Sequence, residues 1–182
     1  MPLRILLADD QQMIREALAM ILDLEIDLEV VKQVGRGDEV LPAVRETRPD
    51  VALLDIEMPG ATGIEAAAEL ARSGLRSQAG APVRSLILTT FRRPGYLRRA
   101  LEAGASGFVV KDGTASQLAQ AVRRTAAGLR VVDSVLAEEA KWQGSSPLTG
   151  RETEVLRTAE TAGSVKEIAG MLGLSSGTVR NH

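Results

Sequence analysis

One stretch constrains the fold of this chain more than any other: residues 51–60, VALLDIEMPG. Four apolar residues, Val51-Ala52-Leu53-Leu54, run into a single carboxylate, Asp55, and Met58-Pro59-Gly60 stops the strand directly afterwards. An apolar run of this length closed by a turn signal reads as a strand buried on both faces, as in a parallel sheet. An acid at the carboxyl end of such a strand stands where open α/β sheets gather their chemistry, although aspartate is also a common turn cap. The rest of the chain decides between those two roles for Asp55.

The pattern recurs. Residues 3–8 read as a first buried strand that ends at Asp9-Asp10, and residues 28–34 as a second, stopped by Gly35. Residues 83–90 carry Leu86-Ile87-Leu88 and end on Thr89-Thr90, and residues 106–110 run straight into Lys111. Between the runs, apolar residues recur at helical spacing, first at positions 14, 17, 18, 21 and 22. Helices are expected over 13–22, 38–47, 62–72, 94–103 and 114–127, with Gly104 and Gly128 as stops for the last two. Residues 73–82, with two glycines and a proline, make a longer loop than a tight connection needs. Five strands alternating with five helices predict a parallel sheet covered on both faces. Parallel strands gather their carboxyl ends on one rim, so Asp9, Asp10, Asp55, Thr89 and Lys111 converge despite their separation in sequence.

Composition narrows the chemistry at that rim. The chain has no cysteine, which excludes disulfides, thiolate metal sites and thiol nucleophiles, and its one histidine, His182, is the last residue. A histidine-based triad or histidine-ligated metal therefore does not fit. No apolar run approaches the ~18 residues of a membrane span, and the start lacks a basic-then-apolar signal pattern. A cytoplasmic protein without membrane insertion is expected.

Three carboxylates on one rim repel one another. At an effective dielectric of about 20, two unit charges ~4 Å apart cost about 4 kcal/mol. Either one carboxylate takes up a proton or a cation sits among them. Mg²⁺ suits an all-oxygen set of Asp9, Asp10 and Asp55, to which Glu57 could add its backbone carbonyl. Lys111 supplies a mobile positive charge and Thr89 a hydroxyl. Together they suit a transferring phosphoryl group, with Asp55 as nucleophile and an aspartyl phosphate as product.

Residues 131–147 read as a linker, with a short helix possible over 133–142 and a turn-like Gly144-Ser145-Ser146-Pro147. Residues 148–182 change character. Thr149 with Glu152, and Ser164 with Glu167, form capping boxes ahead of apolar residues at helical spacing. Gly173-Leu174-Ser175 is a tight turn, and a third helix begins at Ser176. Two helices joined by a short glycine-containing turn are the helix-turn-helix pattern, which a plain helical hairpin also satisfies.

Four motifs in order, LLADDQQMIREAL, VALLDIEMPGATG, LILTTF and ALEAGASGFVVKD, resemble the receiver domain of two-component response regulators. Residues 148–182 resemble the DNA-binding helix-turn-helix shared by the NarL, FixJ and LuxR regulators. The resemblance implies a flavodoxin-like five-stranded parallel α/β receiver over 1–130, a linker over 131–147 and a truncated all-α helix-turn-helix domain over 148–182. It implies that a sensor histidine kinase passes a phosphoryl group to Asp55, with Mg²⁺ held by Asp10, Asp55 and the Glu57 carbonyl while Asp9 assists through water. Thr89 and Lys111 would bind the phosphoryl oxygens, and Phe108, three residues before the lysine, would be the aromatic switch. The implied output is a homodimer, built by the first and fifth helices on phosphorylation, that controls transcription on DNA rather than acting as an enzyme.

Several residues depart from the family pattern. Phe108 stands where tyrosine is commoner, Asp112 follows Lys111 where many receivers have proline, and Thr90 stands beside the phosphoryl site where a smaller residue is frequent. The DNA-reading helix is expected to continue past His182. Of its start, Val179 would be core, and Thr178, Arg180, Asn181 and His182 would lie near the groove. Residues 148–182 hold four basic and four acidic residues, so these residues alone should bind DNA weakly, because phosphate contacts supply much of the affinity. A second reading is a receiver module that acts through protein contacts without DNA. A third, a haloacid-dehalogenase-type phosphatase, places its nucleophile at the end of the first strand with an aspartate two residues on; here the candidate ends the third strand and Glu57 holds that position.

Overall fold

A computed structural model of the chain describes residues 1–90 and 94–132. The strands are β1 (Leu3–Ala8), β2 (Leu28–Val34), β3 (Val51–Asp55), β4 (Arg84–Thr89), β5 (Gly107–Val110) and β6 (Val131–Val132). The helices are α1 (Gln12–Asp23), α2 (Val40–Thr47), α3 (Gly63–Ser73), α4 (Pro94–Glu102) and α5 (Ala115–Ala126). The strands pair in parallel in the order β2-β1-β3-β4-β5-β6. The order reverses between β1 and β3, which is the switch point of the flavodoxin-like arrangement and the place where such sheets bind ligands. Asp9 and Asp55 stand at the ends of these two strands.

Alternation of side chains along each strand builds two cores. Leu6, Ala52, Leu54 and Ile87 pack with Val44, Ala67, Leu70 and Leu97 on the side of α2, α3 and α4. Ile5, Leu7, Leu53 and Leu86 pack with Leu22 of α1 and Leu118 and Val122 of α5 on the other. All five residues of β3 are buried, which is why its sequence is an unbroken apolar run and not an alternating one.

The sheet extends beyond the expected five strands. Val131 and Val132, assigned to the linker by sequence, form β6 against β5, with Val131 opposite Gly107 and Val132 opposite Phe108. Two valines are too short a run to carry a periodicity signal. The helix expected from Asp38 also begins differently, as a 3₁₀ turn over Gly37–Glu39 ahead of α2. The Gly37 amide donates to the Pro59 carbonyl at 3.0 Å, and a Cβ on Gly37 would lie 1.8 Å from the Ala61 oxygen. The turn is thus pressed against the loop that follows β3. The long loop before β4 folds back on itself through an antiparallel bridge between Arg76 and Pro82.

The chain divides into two compact units, Met1–Ala140 and Lys141–His182, and the described residues all belong to the first. The expected helix-turn-helix and most of the expected linker lie outside the described residues. Among the described residues no helix is long and apolar enough to cross a membrane.

The loop from β3 to α3 is fixed from both ends. Thr62 and Glu65 close a reciprocal capping box at the start of α3. The Gly63 amide donates to the Ile56 carbonyl at 3.0 Å, and a Cβ on Gly63 would stand 1.9 Å from the Asp55 carbonyl oxygen. Only glycine lets α3 begin this close to the strand that carries Asp55. Gly63→Ala should therefore lower the urea unfolding free energy by about 1–3 kcal/mol through overpacking. Gly95→Ala, which meets open space in the first turn of α4, should leave stability unchanged or raise it by up to about 1 kcal/mol. Equal midpoints for the two variants would contradict this account.

Candidate functional site

The carboxyl ends of β1, β3, β4 and β5 meet at one rim, where a cleft of about 340 Å³ is lined by Asp10, Gln11, Asp55, Glu57, Thr89 and Thr90. Asp9, Asp55 and Thr89 are buried, whereas Asp10 and Thr90 are exposed. One carboxylate oxygen from each of Asp9, Asp10 and Asp55 lies within 4.8 Å of the other two. Lys111, the residue after β5, reaches across to this group. Its Nζ is 2.6 Å from Asp9 Oδ2 and 2.7 Å from Asp55 Oδ1, with only 7% of the side chain exposed.

Main-chain amides hold the remaining oxygens. The Gln11 amide donates to Asp9 Oδ1 at 2.9 Å, and the Glu57 amide donates to Asp55 Oδ2 at 3.0 Å. Both oxygens of Asp9 and both of Asp55 are thus engaged, and Asp55 lines the cleft together with the exposed Asp10. The Lys111 amide donates to the Thr89 carbonyl at 2.7 Å, which ties the ends of β5 and β4 together. Phe108 is fully buried in the core shared with α2, α3 and α4. No peptide among the described residues is cis, so the Lys111–Asp112 bond is trans. The structure therefore brings together Asp9, Asp10, Asp55, Glu57, Thr89, Thr90 and Lys111, and sets Phe108 three residues behind the lysine on β5. Thr178, Arg180, Asn181 and His182 lie outside the described residues.

Two contributors lie within the LLADDQQMIREAL stretch, but the sequence alone assigns them no role. Gln11 lines the cleft and fixes Asp9 through its amide. Arg15, one turn into α1, donates from its guanidinium to the Asp9 carbonyl. A Cβ on Gly35 would lie 3.3 Å from that guanidinium, so the side chain runs close over the end of β2.

The electrostatics follow from burial against pairing. Burial pushes the Asp55 carboxyl above its ordinary pKa; the hydrogen bond and charge of Lys111 pull it back only in part, and neighbouring Asp9 adds to the rise. For Lys111, burial alone would lower the pKa, but the hydrogen bonds and charges of Asp55 and Asp9 outweigh it and hold the ammonium above its ordinary value. Three carboxylates against one ammonium leave a formal charge of −2. With only oxygen donors in the group, that deficit fits a hard divalent cation and not a soft metal.

The pH dependence can be signed. A raised lysine pKa means that the stability Lys111 supplies is complete below its unfolded value of 10.5 and is lost as pH rises through the higher folded value. The raised Asp55 pKa acts in the opposite sense for the carboxylate, whose ionised form is disfavoured in the fold once pH passes the unfolded value. Removing the ammonium leaves two buried carboxylates without a counter-charge. Lys111→Met should therefore cost about 3–5 kcal/mol at neutral pH, and less at acidic pH as Asp55, whose pKa burial already raises, takes up a proton. Urea titrations at both pH values measure this. A deficit that does not change with pH would assign Lys111 a packing role instead.

Known proteins carry the same architecture. Residues 5–123 match the response regulator receiver domain, and residues 146–182 match the bacterial regulatory proteins of the luxR family. The transcriptional regulatory protein DesR of Bacillus subtilis is 43% identical over 178 residues, spanning 98% of this chain and 85% of that protein. The DNA-binding transcriptional activator DevR/DosR of Mycobacterium tuberculosis is 34% identical over 188 residues, spanning 98% and 84%. The crystal structure of the response regulator ChrA of a heme-sensing two-component system shares 33% identity at a TM-score of 0.65, over 100% of this chain and 86% of that one. DesR and DevR/DosR are transcription regulators. With acidic strand ends gathered at the switch point and both domain matches in order along the chain, this protein belongs to the two-component response regulators that join a receiver domain to a LuxR-type helix-turn-helix.

Proposed function

We propose that Asp55 is the phosphoacceptor of this response regulator and that its phosphorylation by a sensor histidine kinase switches transcription control by a DNA-bound homodimer. One observation carries this reading: a single buried ammonium, Lys111, bridges two rim carboxylates beside a cleft that solvent and a third carboxylate, Asp10, can enter. The phosphorus–nitrogen bond of the kinase's phosphohistidine breaks, a phosphorus–oxygen bond to the Asp55 carboxylate forms, and the imidazole nitrogen leaves. A Mg²⁺ held by Asp10, Asp55 and the Glu57 carbonyl, with Asp9 acting through water, would supply charge neutralisation for the transferring oxygens.

The chain's own groups do the rest. The Glu57 amide keeps Asp55 oriented through Oδ2, and Gln11 and Lys111 hold Asp9 away from direct competition. Lys111 has a flexible stem, so its ammonium can leave the carboxylates and follow the phosphoryl oxygens. Thr89 offers its hydroxyl to the same group, and Phe108 serves as the aromatic switch. That ring has no hydroxyl to desolvate, which favours the buried position it occupies. Thr90 on the cleft wall shields the phosphoryl group from water.

In this reading the receiver covers 1–130, a linker 131–147 and the DNA-binding region 148–182, where Thr178, Arg180, Asn181 and His182 approach the groove. The protein works in the cytoplasm, where its kinase, DNA and second copy are available. The likeness to DevR/DosR, a DNA-binding transcriptional activator, supports that output.

Incubation of the full chain with acetyl phosphate and Mg²⁺ should add the mass of one phosphoryl group, and Asp55→Ala should abolish the gain. An unshifted wild type would overturn the reading. Thr90→Ala should shorten the half-life of the phosphorylated form by a few-fold, about the effect expected for opening a water path. An unchanged half-life would remove Thr90 from that role.

A further inference from the structure

Strand β5 does two things at once. Just past its carboxyl end stands Lys111, bound to Asp9 and Asp55, and its outer edge carries β6, from which the chain continues to residues 133–182. The β6 attachment is small and closely fitted. Only two residues are in register, Val131 with Gly107 and Val132 with Phe108, whereas β1 and β2 register over six. The Val131 amide donates to the Ser106 carbonyl at a long 3.3 Å. The fit requires glycine, because a Cβ on Gly107 would lie 2.6 Å from the Val131 oxygen and 2.8 Å from Leu86 Cδ1.

The two valines face opposite cores. Val131 is buried with α1 and α5, and Val132 packs against the core that holds Phe108. Parallel partners share a face, so Val132 neighbours the Phe108 ring across the strand pair. Beside β6, a cavity of about 460 Å³ lined by Val109, Val110, Gln117, Arg124, Val131 and Val132 leaves the strand room to move.

We propose that β6 is a coupling strand, docked on β5 while Lys111 bridges Asp9 and Asp55 and released when Lys111 is drawn onto a phosphoryl group on Asp55. This rests on the reading of Asp55 as phosphoacceptor. The Lys111 amide is tied to the Thr89 carbonyl, so when Thr89 and the ammonium are both drawn to a phosphoryl group the joined ends of β4 and β5 take up the pull together. A two-residue pairing is the part of the sheet least able to survive that disturbance, because local opening is easiest where few hydrogen bonds and contacts must break. The state of the rim is thereby passed along the main chain to residues 133–182, as a local charge change acting on an element with two positions.

Amide hydrogen exchange of the full chain, followed by NMR with and without acetyl phosphate and Mg²⁺, tests this. Exchange at Val131 should accelerate at least about tenfold on phosphorylation, while amides of β1 and β3 stay unchanged. The mass gain measured on the same sample separates the two claims. Full mass gain with unaltered Val131 exchange would overturn the coupling alone, and no mass gain would overturn the phosphoacceptor reading and the coupling with it. Gly107→Val should give fast Val131 exchange in both samples with the mass gain retained. If that variant does not fold, Val131→Pro removes the amide donated to Ser106 without touching β5. The Phe108 amide, which parallel pairing directs at the carbonyl of residue 131, should then exchange fast regardless of phosphorylation, and a Phe108 amide still slowed in the unphosphorylated variant would overturn the proposal.

Discussion

Burying Asp9 and Asp55 at the rim of a parallel sheet strips both carboxylates of most of their water, and the ammonium of Lys111, 2.6 and 2.7 Å away, compensates for that loss. Leaving one buried charge of such a group unpaired costs several kcal/mol, so the three side chains stand or fall together. The pairing is also incomplete by design of its charges. One ammonium cannot neutralise three carboxylates, and burial still holds Asp55 above its ordinary pKa. A site that is stable yet short of positive charge suits a divalent cation, and under the proposed phosphoacceptor role of Asp55 signalling starts from this deficit.

The surrounding fold keeps this group in place with main chain more than with side chains. Amides of Gln11 and Glu57 hold the carboxylates, the Lys111 amide binds the Thr89 carbonyl, and glycines at 37 and 63 let neighbouring turns close on the loop after β3. The order of strands does the rest. Because β1 and β3 are neighbours at the switch point, the acidic pair and Asp55 become adjacent although 45 residues separate Asp10 from Asp55. β5 then brings Lys111 in from the far side of β4.

The same strand links the rim to the remainder of the chain. β6 attaches to β5 by two residues, next to the buried Phe108, and leads towards the part of the protein that matches the luxR family. Transcription regulators of this kind must convert a change of charge at one residue into a change elsewhere. A short registered strand on the outer edge of β5 is a physical route for that conversion, needing no contact other than those already made along the backbone.

Much of this was legible from residues alone. The unbroken apolar run of β3, the polar residues that end β1, β3 and β4, and the lysine that follows β5 each signal their element through local physics. That they meet also follows from sequence, since alternating strands and helices force the strands parallel and their ends onto one rim. Other features depend on what lies across the fold. Nothing local marks two valines as a sixth strand, tells Gly37 that Ala61 lies against it, or sets Arg15 on the Asp9 carbonyl. Nor does the sequence say how the one ammonium divides itself. Sequence determined which charged groups gather at the rim, because pattern and order are local properties. Tertiary structure decided that Lys111 holds Asp9 and Asp55 while Asp10 stays open to solvent, because burial and sub-3 Å geometry exist only once the strands are side by side.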